Sequence, residues 1–310
     1  MYLFCDGNNL AARCFYAQIE LHTQAGERSG LVHGFLKSLG AVRTELGVKL
    51  ENTVVFWDGG RCQRRIDLYP DYKKGRKLSE PKTEHEVQIT ASYRRQIAAV
   101  KKLLATRPLR QIEVPGVEAD DLMALLAHTV NDNVIINSRD QDLHQVVSDK
   151  VLIYDSEKGI LTKDKVAEHW GLPTFDLDRL LLRRALEGDK GDNVKGVPGI
   201  GPVWASRIEP FLRIEPCAGG GILTQSAPCP HEATQTRIDK CLAAQDIVKR
   251  NILLQILPTT DWSGAYYEPE ALEAAMQQFL VVNGDDWLSW ISQAASWELE
   301  EILDQAERWV

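Results

Sequence analysis

The sequence predicts an α/β protein: a mostly parallel central sheet flanked by helices, with a helical gateway and a C-terminal helix-hairpin-helix region. Three observations support this. Short apolar, β-rich runs (YLFC, TVVFW, QIEV, NVIIN, VLIY) alternate with longer stretches of helical spacing. After Tyr154 the pattern changes to helices. Acidic residues stand where hydrophobic runs stop, and in such sheets ligands bind beyond the carboxyl ends of the strands.

Taken in order, YLFC runs directly into Asp6 and TVVFW directly into Asp58. LVHGFLKSLGAVRTEL has the apolar spacing of a helix covering the sheet. Glu118 lies just upstream of ADDLMALLAHTV, the helix that Asp120 and Asp121 open, and Asp140 and Asp142 follow NVIIN. In TKDKVAEHWG, Thr162 is the expected N-cap, and FDLDRLLLRRALEG is the next helix. Asp189 and Asp192 are spaced i, i+3, close enough in a tight turn to share one ion. The glycine-rich segment Gly196-Val-Pro-Gly199-Ile-Gly201-Pro202 follows a helix, whereas a dinucleotide-binding glycine loop follows a strand. It therefore reads as a hairpin between two helices, whose amides and helix dipole can approach a nucleic-acid backbone.

With 310 residues, 44% hydrophobic and 26% charged, the chain can bury a large core, which excludes a disordered or fibrous protein. No apolar run reaches the roughly 18 residues of a membrane span, and the first residues lack the pattern of a signal peptide, so a cytoplasmic location without membrane contact is expected. The cysteines read as reduced thiols. A net charge of -8 conceals strong local asymmetry. Residues 61–77 carry seven basic residues against two acidic ones, and residues 93–110 carry six with no acid. Such runs are commonly only solvated helix faces, but beside an acidic cluster they suit a groove that tracks phosphates.

Singly, Asp120 would be only a helix cap and Asp6 only a turn residue. As a set they resist that reading, because clustered carboxylates without cations raise one another's pKa and cost stability. The donors are oxygen, which suits hard divalent cations better than zinc.

DGNNLAARCFYA, FWDGG, YPDYKKGR, GVEADDLMA, SRDQDLHQ and ALEGDKGDNVKGVPGIGP, in this order, resemble the structure-specific 5′-nucleases over roughly residues 1–212. That family comprises flap endonucleases, bacteriophage 5′-exonucleases and the nuclease domain of bacterial DNA polymerase I. With no polymerase segment, the chain is similar to the free-standing form. The resemblance implies a PIN-like 5′-nuclease core, two Mg²⁺ ions with Mn²⁺ able to substitute, and K⁺ at the hairpin. It implies a first metal group of Asp6, Asp58, Glu118, Asp120 and Asp121, and a second of Asp140, Asp142, Asp189 and Asp192. Lys73 and Arg76 match the family's basic pair beside the scissile phosphate; Lys74 and Lys77 read as surface phosphate contacts. Tyr72 offers a ring to an unpaired base or belongs to the local core. Gly196, Gly199 and Gly201 would contact duplex backbone.

The implied activity is 5′-3′ exonuclease and flap endonuclease hydrolysis near single-strand/duplex junctions, in primer or flap removal and repair, by a monomer. Expected domains are a nuclease core over 1–175 with its gateway at about 72–101, a helix-hairpin-helix region over 176–258, and an acidic Trp-rich extension over 259–310. In that extension Trp262, Trp287, Trp290, Trp297 and Trp309 are expected to anchor the tail, which is also kept as a surface for a replication protein. Cys217, Cys229, His231 and Cys241 raise a zinc site, but lack the usual CxxC pair. Two rivals are a PIN-like ribonuclease, disfavoured by the gateway and hairpin, and a non-catalytic helix-hairpin-helix DNA-binding protein, disfavoured by the full set of acids.

Overall fold

The computed structural model describes residues 1–76, 83–215, 221–258 and 269–309. In chain order the elements are β1 (Tyr2–Asp6), α1 (Gly7–Ala17), α2 (Gly30–Glu45), β2 (Thr53–Phe56), α3 (Gln63–Leu68), α4 (Glu84–Ala105), β3 (Arg110–Ile112) and α5 (Ala119–Thr129). Next come β4 (Val134–Asn137), β5 (Val151–Asp155), β6 (Gly159–Leu161), α6 (Lys163–Trp170), α7 (Leu177–Glu187), β7 (Gly188–Asp189), β8 (Val194–Lys195) and α8 (Pro202–Ile208). The chain ends with β9 (Leu212–Glu215), β10 (Ile222–Gln225), α9 (Glu232–Ala243), α10 (Gln245–Gln255), α11 (Pro269–Leu280), α12 (Trp287–Ala295) and α13 (Glu300–Leu303). Among the described residues no helix is long and apolar enough to cross a membrane.

The chain forms two compact units, one of Met1–Arg61, Lys77–Leu161 and Pro258–Val310, the other of Cys62–Arg76 and Thr162–Leu257. The division differs from a linear reading in three places. The first boundary falls at Leu161 instead of 175, residues 62–76 belong with the later helices, and the C-terminal extension is part of the first unit. Packing explains each shift: burial selects partners by shape, and sequence adjacency does not reveal them.

The first unit is built on a six-stranded sheet of order β3-β2-β1-β4-β5-β6. All pairs are parallel except β5 with β6, an antiparallel edge. β1, β2 and β4 read as nearly continuous apolar runs because helices cover both faces. Leu3, Phe35, Val55, Trp57 and Leu104 are fully or almost fully buried in the core. The tail joins it: Trp290 and Trp309 are buried there, and Trp287 and Trp297 pack against it. Trp287 stacks on Trp290 at 4.9 Å, while the buried Arg107 guanidinium lies 4.5 Å over Trp287 and donates to Asp285 and to the Trp309 carbonyl. The tryptophans therefore anchor the tail as expected; Trp262 lies outside the described residues. The α4 helix starts with a capping box, in which Thr83 Oγ1 accepts from the Glu86 amide and Glu86 accepts from the Thr83 amide. The helical part of the expected gateway thus begins at Glu84, and residues 72–75 form turns.

In the second unit, Thr162 caps α6 as its sequence predicts, and Asp176 caps α7. Burial of Leu180, Leu181, Val248 and Ile252 joins α7 to α10. The fully buried Asn251 side chain donates to the carbonyls of Ala185 at 2.8 Å and Lys195 at 3.0 Å, pinning the end of α7 to β8. A second polar anchor is Glu209, buried and paired with Arg179 and Arg183.

Candidate metal centre and nucleic-acid interface

The strand order puts β2 on one side of β1 and β4 on the other, so a crevice opens at the carboxyl end of β1. Asp6 ends β1 opposite Phe56, and Cys5 lies opposite Asn137. Parallel register therefore brings the residues just beyond these ends, Asp58 and Ser138, to the same edge as Asp6. The Asp6 side chain also caps α1, with Oδ1 accepting from the Asn9 amide at 2.9 Å. Its other oxygen accepts from the Ser138 hydroxyl at 2.9 Å, and that hydroxyl accepts from the Asp140 amide at 3.1 Å. Asp140 Oδ1 accepts from the Asp142 amide at 2.9 Å, capping a short 3₁₀ turn at Gln141–Val146.

Asp58 joins this edge to α5. Its Oδ1 accepts from the Ala119 amide at 2.9 Å, and its own amide donates to Asn8 Oδ1 at 2.9 Å. At that helix start, Glu118, Asp120 and Asp121 each offer an oxygen within 4.8 Å of the others, with Glu118 and Asp121 buried. The helix dipole favours negative charge at this end. Burial pushes the Asp6 carboxyl up to about 7; the Asp58 and Asp140 carboxylates raise it too, while the bonds from Asn9 and Ser138 lower it. So much desolvated like charge calls for a cation. An oxygen-only donor set fits a hard divalent ion, and neither Cys229, His231 nor Cys241 belongs to the group. Burial instead pushes the Cys241 thiol up to about 11, Cys229 bonds the His231 carbonyl, and Cys217 lies outside the described residues.

The second unit holds Asp189 at the end of β7 and Asp192 in the turn that leads to β8. Asp189 accepts from Arg184 at 3.1 Å and from the Asp192 amide at 3.1 Å. Asp192 pairs with Lys73 at 3.7 Å and with Arg76, so the basic pair meets a carboxylate assigned to the metal by its motif. The backbone reinforces this contact: the Lys73 amide donates to the Asp192 carbonyl at 2.8 Å, with Lys73 itself at φ 54°. Asn193 also donates to the Asp71 carbonyl at 2.8 Å. Lys74 lies beside Asp71 at 3.3 Å, and Lys77 lies outside the described residues.

Tyr72 corrects one expectation. Its ring is buried in a small core with Val194 and Leu254, with Lys73 Nζ 5.0 Å from its centroid, so it does not present a face to a base. An aromatic in a basic run looks like a stacking platform until its neighbours are known. The hairpin glycines also have different roles. A Cβ on Gly196 would lie 2.2 Å from the Glu187 carbonyl oxygen, so this glycine serves close packing against α7. Gly199 has φ +78°, which forms the turn, and Gly201 precedes α8 with open space around it. Of the three, Gly201 fits the expected backbone contact best.

Sequence reasoning missed Asn8, Ser138 and Asn251. Asn8 and Ser138 sit inside motifs already singled out, and a polar residue directly after a buried strand is a usable signal. Asn251 gave none, because a lone amide on an amphipathic helix resembles a surface residue.

The match to the model of the 5′-3′ exonuclease N-terminal resolvase-like domain extends over residues 1–171. A thermostable DNA polymerase I of Thermus thermophilus is 36% identical over 209 residues, which is 66% of this chain and 23% of the polymerase. A 5′-3′ exonuclease of Aquifex aeolicus is 33% identical over 208 residues, 66% of each chain. The chain thus spans about a quarter of the length of the polymerase it matches. Among solved structures, the T5 D15 protein co-crystallised with metal ions aligns with a TM-score of 0.70 at 22% identity, over 90% of this chain and 98% of that one. The catalytic core of Rad2 in complex with DNA substrate aligns with a TM-score of 0.54 at 16% identity, over 100% and 91%. At these identities the structural likeness establishes the fold.

Proposed function

We propose that this chain, which belongs to the 5′-3′ exonuclease family, hydrolyses DNA phosphodiesters near junctions between a 5′ single strand and duplex, acting as exonuclease and flap endonuclease. The observation that carries the reading is the group Glu118, Asp120 and Asp121, whose oxygens lie within 4.8 Å of one another at a helix start that Asp58 fastens to the sheet edge. Flap and junction substrates enter through the family and through relatives solved with DNA.

Glu118, Asp120 and Asp121 would hold a divalent cation there, whose charge would serve to activate water and to offset charge building on the phosphate. Mg²⁺ is the proposed ion, with Mn²⁺ as substitute, because the donors are carboxylates; a second ion and K⁺ at the hairpin are proposed from the family resemblance. Asp6 and Asp58 order the edge by accepting backbone amides, Ser138 holds the Asp6 carboxylate, and Asn8 fixes the Asp58 backbone. The motif match proposes metal-ligand roles for Asp140, Asp142, Asp189 and Asp192. Lys73 and Arg76, held by Asp192, are proposed to stabilise charge on the phosphate.

A labelled panel of flap, nicked duplex, RNA-primed duplex and single-stranded RNA, with Mg²⁺ or EDTA, tests this. Cleavage of flap or nicked DNA with Mg²⁺, lost in EDTA and in Asp121→Asn, is the expected result. Cutting of RNA alone would favour the ribonuclease alternative, and binding without cutting would leave a DNA-binding protein.

A further inference from the structure

The second unit contains an antiparallel hairpin, β9 with β10, in which Ile214 faces Leu223 and Arg213 faces Thr224. Hydrogen bonds fix which way its backbone points. The Ser226 amide donates to the Phe211 carbonyl, and bonded pairs alternate along an antiparallel ladder, so Ile214 and Leu223 turn their N–H and C=O groups away from each other. On the β10 side those groups are closed. The Leu223 amide donates to Gln245 Oε1 at 3.0 Å, and Gln245 Nε2 donates to the Leu223 carbonyl at 2.6 Å. The β3 edge of the large sheet is closed in the same way: just past β3, the Glu113 amide donates to Gln278 Oε1 at 2.8 Å, and its carbonyl accepts from Gln278 Nε2 at 3.0 Å.

Ile214 has no such cover. Among the described residues neither its amide nor its carbonyl has a hydrogen-bond partner. It lines a cleft of about 390 Å³ shared by β9 and α7, with Arg179, Leu182, Pro210 and Leu212 also in the walls. An uncovered strand edge is a template for a further strand.

The residues of β9 select that strand. Arg213-Ile214-Glu215 reads basic, aliphatic, acidic. An antiparallel copy centred on Ile214 lets the two isoleucines exchange N–H···O=C bonds and sets Arg213 opposite Glu215 of the second copy, twice. Both side chains are more than two-fifths exposed, and within one copy they already pair at 2.6 Å. Opposite charges facing each other across strands stabilise such a pair, whereas like charges destabilise it. The edge is thus complementary to itself.

We propose that two copies of this chain associate by antiparallel pairing of β9 with β9 about a twofold axis at Ile214, in place of the monomer expected from the sequence. The contact is isologous, the same patch serving on both copies, and each β9 enters the other's cleft. It stands apart from the nuclease reading, because none of the carboxylates at the candidate metal centre takes part.

The test is sedimentation equilibrium of full-length protein over a concentration series. Wild-type mass rises from the 34.8 kDa of one chain towards twice that value. Arg213→Glu and Glu215→Arg each set like charges opposite one another and weaken self-association by about tenfold or more. Mixed in equal amounts the two variants associate again, because the acidic edge of one then faces the basic edge of the other. In dilute solution, where each chain is alone, all three proteins melt alike, since an exposed ion pair contributes little, and this separates lost association from misfolding. Wild type at the mass of one chain throughout overturns the proposal and leaves the cleft to an extended segment of another protein. Association unchanged in the single variants, or not restored in their mixture, overturns it too by placing the contact elsewhere.

Discussion

The Ser138 hydroxyl donates to Asp6 Oδ2 at 2.9 Å, linking the ends of two neighbouring parallel strands, β1 and β4, through a side chain. The Ser138 hydroxyl oxygen in turn accepts from the Asp140 amide, so one buried hydroxyl ties Asp6 to the backbone of Asp140.

Ser138→Ala leaves Asp6 short of a donor and Asp140's amide short of an acceptor. The expected loss is about 1–3 kcal/mol of stability, together with weaker dependence of cleavage on Mg²⁺ at low concentration. Urea unfolding in EDTA and a Mg²⁺ titration of cleavage measure these effects. Wild-type values in both would show that Ser138 is not holding the pair.

Stability of the metal-free protein should fall as pH rises towards neutrality. Asp6 binds its proton more tightly when folded, with a pKa raised to about 7, than it does unfolded. Its contribution is thus fully present below about pH 4, the ordinary carboxylate value, and is lost as pH rises through about 7. The upper limit is roughly 4 kcal/mol. Asp6→Asn should flatten this slope in EDTA, and added Mg²⁺ should stabilise wild type more at pH 8 than at pH 5. A slope identical in wild type and Asp6→Asn would assign the effect to other groups.

Asn251→Ala strips a donor from the Ala185 and Lys195 carbonyls. A cost of about 1–3 kcal/mol is expected, with weaker binding of blunt duplex measured by anisotropy, because β8 leads into the hairpin. Mg²⁺ binding by Glu118, Asp120 and Asp121 should be unaffected. Loss of Mg²⁺ binding with intact duplex affinity would contradict this.

Trp290→Ala empties a fully buried site that stacks on Trp287 and meets Trp309 at a tilt. A loss of about 3–5 kcal/mol is expected, so the tail acts as core and not as an appendage. Differential scanning calorimetry compares the variant with wild type, and a shift within error would show the tail to be dispensable.

Much of this architecture was legible in the chain. Strands recognisable from YLFC, TVVFW and NVIIN end at Asp6, two residues before Asp58 and on the approach to Asp140, because a buried parallel strand must be apolar until it reaches the edge. Helix α5 announced itself by its acidic first turn, and Thr162 by its capping geometry. These are local rules, written within a few residues of where they act.

Contacts between distant residues decided the rest. Tyr72 became core because Val194 and Leu254 surround it, Asp192 met Lys73 and Arg76 across more than a hundred residues, and the C-terminal tryptophans entered the first unit. Ser138 and Asn251 gained their roles from partners 132 and 66 residues away. Periodicity and composition report which face of an element is apolar. They do not report which other element will cover it, because that depends on the shapes and unpaired polar groups that folding brings into contact.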